Sequence, residues 1–470
     1  MKSQPGYAAS LALVTVLFGG CANFSEDRGF GLTRQTARDR LNKDAAWVRS
    51  EADADSVKAK VQALLANPLS ADDAVQVALY NNPALQATYA ELGISESDLV
   101  SSGRIDNPRF SFLRALDLNR DSKIESILSF GVMSLITLPL RMEAAGRRFE
   151  STRRGVTAEM LRTASETRKA YYQAVAAAQT LLYMAQVKES AEAGAELARR
   201  MARAGNFSKL TQMREHAFYA DAAAQMARAQ QAAVGAREQL TRLMGFADVA
   251  AFRLPERLPD LPAAPRAEEE VAKEAMQERL DITAARFEAE SMAASLGLTR
   301  ITRFTNLLEI GRVRIDEGLD PRKRGWEIAV EIPLFDFGGA RVAGAEARYL
   351  RATERIRETA VNAQSEVRES YSAYRTRHDL ARHYRDEIVP LRKKISDEML
   401  WRYNGNLKSV FELLADSREQ VMAVNGAIEA QRDFWMAEAD LQLALIGKPS
   451  SLGIGMEMAP MAAKPAGGGH

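Results

Sequence analysis

Apolar positions step by three and four along most of the chain, and by two only in a few short runs. Leu380, Tyr384, Ile388, Leu391, Ile395 and Met399 form one helical stripe; Val175, Ala178, Leu182 and Ala185 form another among many alanines. Such stripes predict helices that bury one face against neighbouring helices. They belong to two very long stretches, Met142–Ala204 and Arg341–Tyr403. At 1.5 Å per residue each makes a rod of about 95 Å, far beyond the usual three or four turns. Pro390 interrupts the second and is expected to kink it or loosen one turn. Each rod runs into a Gly-Asn pair, Gly205-Asn206 or Gly405-Asn406, and then a returning helix, Lys209–Met244 or Ser409–Ile446. Helical lead-ins cover Ser70–Gly103 and Glu268–Leu298.

The run Gly325–Ile332 has period two. Trp326, Ile328, Val330 and Ile332 share one face; Gly325, Glu327, Ala329 and Glu331 share the other. The apolar face of such a strand meets either a protein core or lipid, and in the second case the acidic face lines water. Leu128, Phe130 and Val132 show the habit more weakly, with Phe110, Phe112 and Phe304 assigned to partner strands. Four strands do not close a membrane barrel alone, because about eight is the minimum for a single chain. A barrel here has to be shared between copies.

The two halves repeat at a spacing of about 200 residues. NPALQA (Asn82–Ala87) aligns with RLDITA (Arg279–Ala284), LPL (Leu138–Leu140) with IPL (Ile332–Leu334), and AGNFSKLTQM (Ala204–Met213) with NGNLKSVFEL (Asn404–Leu413). Between the halves lies LPERLPDLPAAP (Leu254–Pro265), whose four prolines mark a linker.

Composition narrows the function classes. The 470 residues carry 63 Lys+Arg against 62 Asp+Glu, so no basic excess exists for binding nucleic acid. One cysteine excludes an intramolecular disulfide framework and a Cys-cluster metal site. No run of eighteen apolar residues occurs in the body of the chain, so a helical membrane span is not expected there. No phosphate-binding loop, nucleophile elbow or dinucleotide fingerprint sits in a suitable context, so the chain does not read as an enzyme and no cofactor is implied. His378 and His383 are five apart, where a helical metal pair needs four, and read as surface residues.

The cysteine has a telling position. An apolar stretch from Ala8 to Phe18 follows Lys2 and leads into Gly19, Gly20 and Cys21. This resembles a bacterial lipoprotein signal, with Phe18 where leucine is usual; the alternative is an ordinary secretory signal. The first reading makes residues 1–20 the signal and Cys21 the lipidated residue. Ala22, rather than an aspartate, then suggests outer-membrane sorting in a Gram-negative cell.

The tandem plan of strand, strand, long helix, turn and helix, with the segments VFELLAD and IPLFDFGG, resembles the TolC-type outer membrane efflux proteins over roughly Ser70–Gly447. The resemblance implies a mainly α fold with a small membrane β-barrel part. Three chains share one twelve-stranded barrel, continued by a periplasmic α-helical barrel. It implies a passive exit duct in the cell outer membrane, partnered by a periplasmic adaptor protein and an inner-membrane pump. The expected divisions are 1–20 signal, 21–69 extension from Cys21, 70–253 first repeat, 254–267 linker, 268–447 second repeat and 448–470 tail.

On the same resemblance, Gly205, Asn206, Gly405 and Asn406 are adaptor-contacting tip turns, where glycine eases the backbone reversal. Glu412 and Asp416, four apart on one helix face, become periplasmic gate candidates, each a ring of three carboxylates. Their first-half equivalents are Gln212 and His216. Trp326, Ile328, Val330 and Ile332 face lipid. The tail holds Met456, Met458, Met461 and His470, weak candidates for Cu(I), so heavy-metal efflux stands beside organic toxins as a cargo. The competing reading is a lipid-anchored periplasmic coiled-coil scaffold without channel activity, which needs no alternating strand pairs.

Overall fold

In the computed structural model the described residues are 23–116, 122–248, 252–275, 279–305, 307–317, 321–405, 407–408 and 410–449. The segment 1–20, Cys21, Asn406, Met456, Met458, Met461 and His470 lie outside them. Helices dominate: α1 (Gly31–Leu41), α2 (Glu51–Leu65), α3 (Ala71–Asn81) and α4 (Pro83–Ser102) precede strands β1 (Arg109–Leu116) and β2 (Ser122–Gly131). Next come α5 (Val132–Arg203), α6 (Lys209–Leu243), α7 (Glu268–Ala275) and α8 (Leu280–Ile301), then β3 (Leu308–Glu317) and β4 (Lys323–Val330). The chain closes with α9 (Gly339–His383), a π-helical turn (Tyr384–Ile388), α10 (Val389–Asn404) and α11 (Val410–Ala444). Among the described residues no helix is long and apolar enough to cross a membrane.

Local chemistry sets the helix starts. Ser50 with Asp53 and Ser70 with Asp73 form capping boxes for α2 and α3. Asn82 caps α4, accepting the Leu85 N–H at 2.9 Å, with Pro83 in the first helical position. Asn82 also donates to the Leu243 carbonyl at the end of α6, at 2.8 Å. Its aligned partner Arg279 donates to the Ala444 carbonyl at the end of α11, at 2.9 Å. The two halves thus fasten corresponding helix ends with corresponding residues.

The four strands form one antiparallel sheet in the order β1-β2-β3-β4. Neither β1 nor β4 has a second strand neighbour within it. The helices pack beside one another below it: α5 runs against α4, α6, α8 and α11, and α9 against α8 and α11. Midway, Ala174, Val175, Leu240 and Met244 join a core with Val77 and Leu258. The proline-rich segment straps this level. Its Pro259 carbonyl accepts from Gln431 Nε2 at 2.7 Å and Trp435 Nε1 at 3.0 Å, and the Leu258 N–H donates to Gln179 at 3.1 Å. Proline brings an acceptor but no N–H, so it can cross a helix bundle without a stranded donor.

Several expectations need correction. The first rod starts at Val132, ten residues before the predicted Met142, and its 72 residues span about 108 Å. Val132 and the LPL segment are therefore helical, while the aligned IPL segment lies past β4. Ser134 and Arg141 donate to the carbonyls of Gly131 and Ser134, at 2.8 and 2.9 Å, supporting helix ahead of and through Pro139. Phe304 sits in the bend before β3, and Ile332 lies beyond the end of β4. Val175 is buried as the stripe requires, but Leu182, Leu380 and Leu391 are exposed within the chain; the rods bury Met184, Val187, Tyr374, His378 and Ala381 among others. His378 is 1% exposed rather than a surface residue. Its Nε2 lies 3.3 Å from the Pro262 carbonyl and its ring meets Phe434 edge-on. The second rod does loosen by one turn, just before Pro390, and there the Tyr384 ring covers Gly426 so closely that a Cβ on Gly426 would sit 2.8 Å from it.

Charges buried at the middle level make two measurable contributions. Arg279 is 2% exposed in its side chain, paired with Asp281 at 2.7 Å and Glu366 at 2.8 Å. Burial opposes its charge, yet the two carboxylates raise its affinity for the proton overall. Arg279→Ala leaves both carboxylates without their cation and frees the α11 carbonyl end. It is expected to lower stability by about 3–5 kcal/mol, read as a fall in the thermal unfolding midpoint. Burial pushes the Glu438 carboxyl up, against the pull of Arg168 and Arg266. A raised carboxyl contributes stability that is complete below its unfolded-state pKa and is lost as pH rises through the folded value. Glu438→Gln is therefore expected to stabilise the protein at about pH 8 and to lose that advantage near pH 4.

Candidate channel entrance and membrane sheet

Two places gather the chemistry: the helix tips and the sheet. At the first tip α5 ends in a left-handed glycine, Gly205 at φ 81°, with the Asn206 N–H returning to the Met201 carbonyl at 2.9 Å. This 6→1 bond with a positive-φ glycine is the Schellman closure of a helix. Ser208 then caps α6, accepting the Thr211 N–H at 3.1 Å. The second tip is built differently. Gly405 has φ −81° and ψ 5°, a conformation open to any residue, so the backbone reversal there does not require glycine.

The two gate candidates have different surroundings. Glu412 is half-exposed and paired with Lys408, one turn earlier. Asp416 is 8% exposed, and its Oδ2 has no hydrogen-bond partner among the described residues. Two residues on, Arg418 reaches across to α6. Its Nη2 lies 3.4 Å from Glu215 Oε1, and its guanidinium lies over the Phe218 ring at 4.4 Å. Glu215 is 4% exposed. Below this contact Val421 of α11 packs against a cluster of the first hairpin that includes Met184, Val187 and Ala222. Arg392 on α10 pairs with Glu419 at 3.0 Å. The tip of α11 is thus held on one side by α10 and on the other by α6. Gln212 is half-buried and His216 exposed. The sequence reading passed over Glu215 and Arg418; the only signal was that each lies a few turns past a tip glycine.

At the sheet, register assigns faces, because directly opposed residues share one. Phe110 opposes Leu128, Leu128 opposes Arg312, and Arg312 opposes Trp326. Phe130, Ile310 and Ile328 form the next row, and Leu308 opposes Val330. Trp326, Ile328 and Val330 are 78%, 70% and 51% exposed, as a face without a protein cover must be. The other face carries Glu125, Glu309, Glu317 and Glu327 with Ser111, Ser129 and Gly311. All the strands join the helices at one end of the sheet; at the opposite end β1 and β3 finish and β2 and β4 begin.

Among the described residues no group of three or more His, Cys, Asp and Glu side chains could hold a metal ion.

Neither a protein-family model nor a curated protein matches the chain. Solved structures do. A membrane protein from Pseudomonas aeruginosa is 20% identical, with a TM-score of 0.68 over 80% of this chain and 93% of its own. The outer membrane protein VceC of Vibrio cholerae is 17% identical, with a TM-score of 0.67 over 80% of this chain and 96% of its own. The CmeC outer membrane channel of Campylobacter jejuni is 16% identical, with a TM-score of 0.63 over 90% of this chain and 92% of its own. A small antiparallel sheet mounted on the end of long paired helices is the arrangement they share with it, and the chain has the fold of the TolC-type outer membrane channels.

Proposed function

We propose that the protein is the passive exit duct of a tripartite efflux system in the outer membrane. The observation that carries this reading is the sheet: it exposes an apolar face, turns a carboxylate-lined face the other way, and leaves both edges open. Three copies, joined β1 to β4, close a twelve-stranded barrel with the apolar face to lipid and the carboxylates to water. The long helices then continue as a periplasmic tube, and their exposed leucines, Leu182, Leu380 and Leu391, meet the neighbouring copies.

In this reading the halves 70–253 and 268–447 are tandem repeats joined by the strap 254–267. The matched roles of Asn82 and Arg279 support it. The signal 1–20, the lipid on Cys21, the extension 21–69 and the tail 448–470 complete the proposed layout. Gly205, Asn206, Gly405 and Asn406 form the tips that meet a periplasmic adaptor protein, which couples the duct to an inner-membrane pump. Glu412 and Asp416 flank the narrow entrance, and the Arg418–Glu215 contact keeps it shut. The cargo is a toxic organic compound or a metal ion.

The test is native mass and conductance together. Protein extracted with mild detergent from the outer-membrane fraction is expected to be trimeric and to open ion-conducting pores in planar bilayers. A monomer recovered without detergent, with no pore activity, returns the chain to a lipid-anchored scaffold.

A further inference from the structure

The lipid-side face of the sheet is not apolar throughout. Away from the helix end it carries Arg114 on β1, Arg312 and Arg314 on β3, and Arg324 on β4. Arg314 stands directly opposite Arg324, and Arg114 opposes Ile124, which opposes Asp316. Like charges directly opposed across two strands are destabilising unless something neutralises them. Asp316 does so for Arg314, at 3.2 Å, and it also holds Arg322 at 3.2 Å. Arg114, Arg312 and Arg324 have no ion-pair partner among the described residues, and all three are exposed. The other carboxylates of the sheet do not help: Glu125, Glu309, Glu317 and Glu327 point to the other face.

An arginine against hydrocarbon costs about 2–4 kcal/mol at the middle of a bilayer and almost nothing at its surface. Guanidinium groups pair in two-pronged fashion with phosphate. Resting on the barrel reading above, we infer that these arginines bind the phosphate groups of anionic lipids in the outward-facing leaflet. The arginines lie toward the end of the sheet remote from the helices, where β1 ends and β4 begins. Closing three sheets into a barrel joins these arginines into one belt, with Arg312 at its lower edge beside Trp326 and the rows of Ile328 and Val330 beneath it in the hydrocarbon. The belt sets the depth of the barrel and favours phosphorylated lipid around it.

The test uses the full-length trimer in detergent, mixed with bis-phosphorylated lipid A or with its dephosphorylated form, and reads lipid retention by native mass spectrometry. The wild type is expected to retain the phosphorylated form preferentially. Arg312→Gln and Arg324→Gln are each expected to weaken that preference about fivefold, and the pair combined with Arg114→Gln to abolish it. Arg324→Lys, which keeps the charge, is expected to retain most of it. The same spectra report whether each variant is still trimeric. Equal retention of both lipids by a wild-type trimer, or an undiminished preference in the combined variant, overturns this inference alone. A wild type that is not trimeric overturns the barrel reading and this inference with it. Displacement of the lipid by equimolar inorganic phosphate would assign the belt to free phosphate and overturn the lipid assignment.

Discussion

Truncating Arg418 to alanine is expected to raise the resting conductance of the reconstituted protein about tenfold. Arg418 touches α6 through the Glu215 carboxylate and the Phe218 ring, and Glu215 is almost wholly enclosed. Removing the guanidinium leaves a carboxylate in a dry site without its cation, and such a group costs several kcal/mol more than a pair that is never formed. Any movement of α11 away from α6 that lets water reach Glu215 is then favoured. The charge is the driving element, so Glu215→Gln is expected to open the entrance less than Arg418→Ala, because no stranded charge remains: Arg418 itself is more than a third exposed. Exchanging the two residues, Glu215→Arg with Arg418→Glu, is expected to restore a low resting conductance. An Arg418→Ala protein with unchanged conductance, in trimers of normal stability, would falsify the latch.

Placing arginine at Ile328 is expected to prevent membrane insertion, whereas placing it at Glu327 is not. The two residues are neighbours in β4 and differ in face alone: Ile328 shares a row with Ile310 and Phe130, and Glu327 opposes Gly311 on the other side. A charge on the lipid side costs about 2–4 kcal/mol near the bilayer middle, and threefold assembly repeats the cost in every copy. On the water side the same charge stays solvated. Outer-membrane fractionation and the proportion of detergent-stable trimer measure the outcome. Equal behaviour of Ile328→Arg and Glu327→Arg would mean that neither face meets lipid, and the sheet would then be an ordinary extramembrane one.

What could be read in the sequence followed from periodicity. Period two in Gly325–Ile332 located β4, which ends at Val330, and both of its faces, since alternation is fixed by the pleat. The returning helices and the first tip turn, at Gly205, were also legible. The boundaries near Gly131 were not, because Val132, Leu135 and Ile136 suit strand and helix alike, and side-chain bonds to the first carbonyls decided for helix. The stripes were placed only in part: Val175 is buried and Tyr384 packs on a buried cluster, but Leu182, Leu380 and Leu391 are exposed, since long alanine-rich helices offer several equivalent faces and only the neighbours choose among them. At the tips the acidic pair was visible, but its setting was not. Glu215 and Arg418 are 203 residues apart, and no local pattern announces a contact of that range. His378 read as exposed because its five-residue spacing from His383 argued only against a metal; the strap that buries it comes from the far side of the sequence.

The open edges of β1 and β4 have a genetic consequence. Under the threefold reading every barrel needs two edges from each copy, so one copy with a spoiled edge interrupts the whole ring. If a cell makes equal amounts of intact and edge-defective chains and these mix at random, only about one assembly in eight contains three intact copies. An edge mutation should therefore act as a dominant loss of export, although the wild-type gene is present and fully expressed. A null allele at the same dose should leave half of the ducts in place.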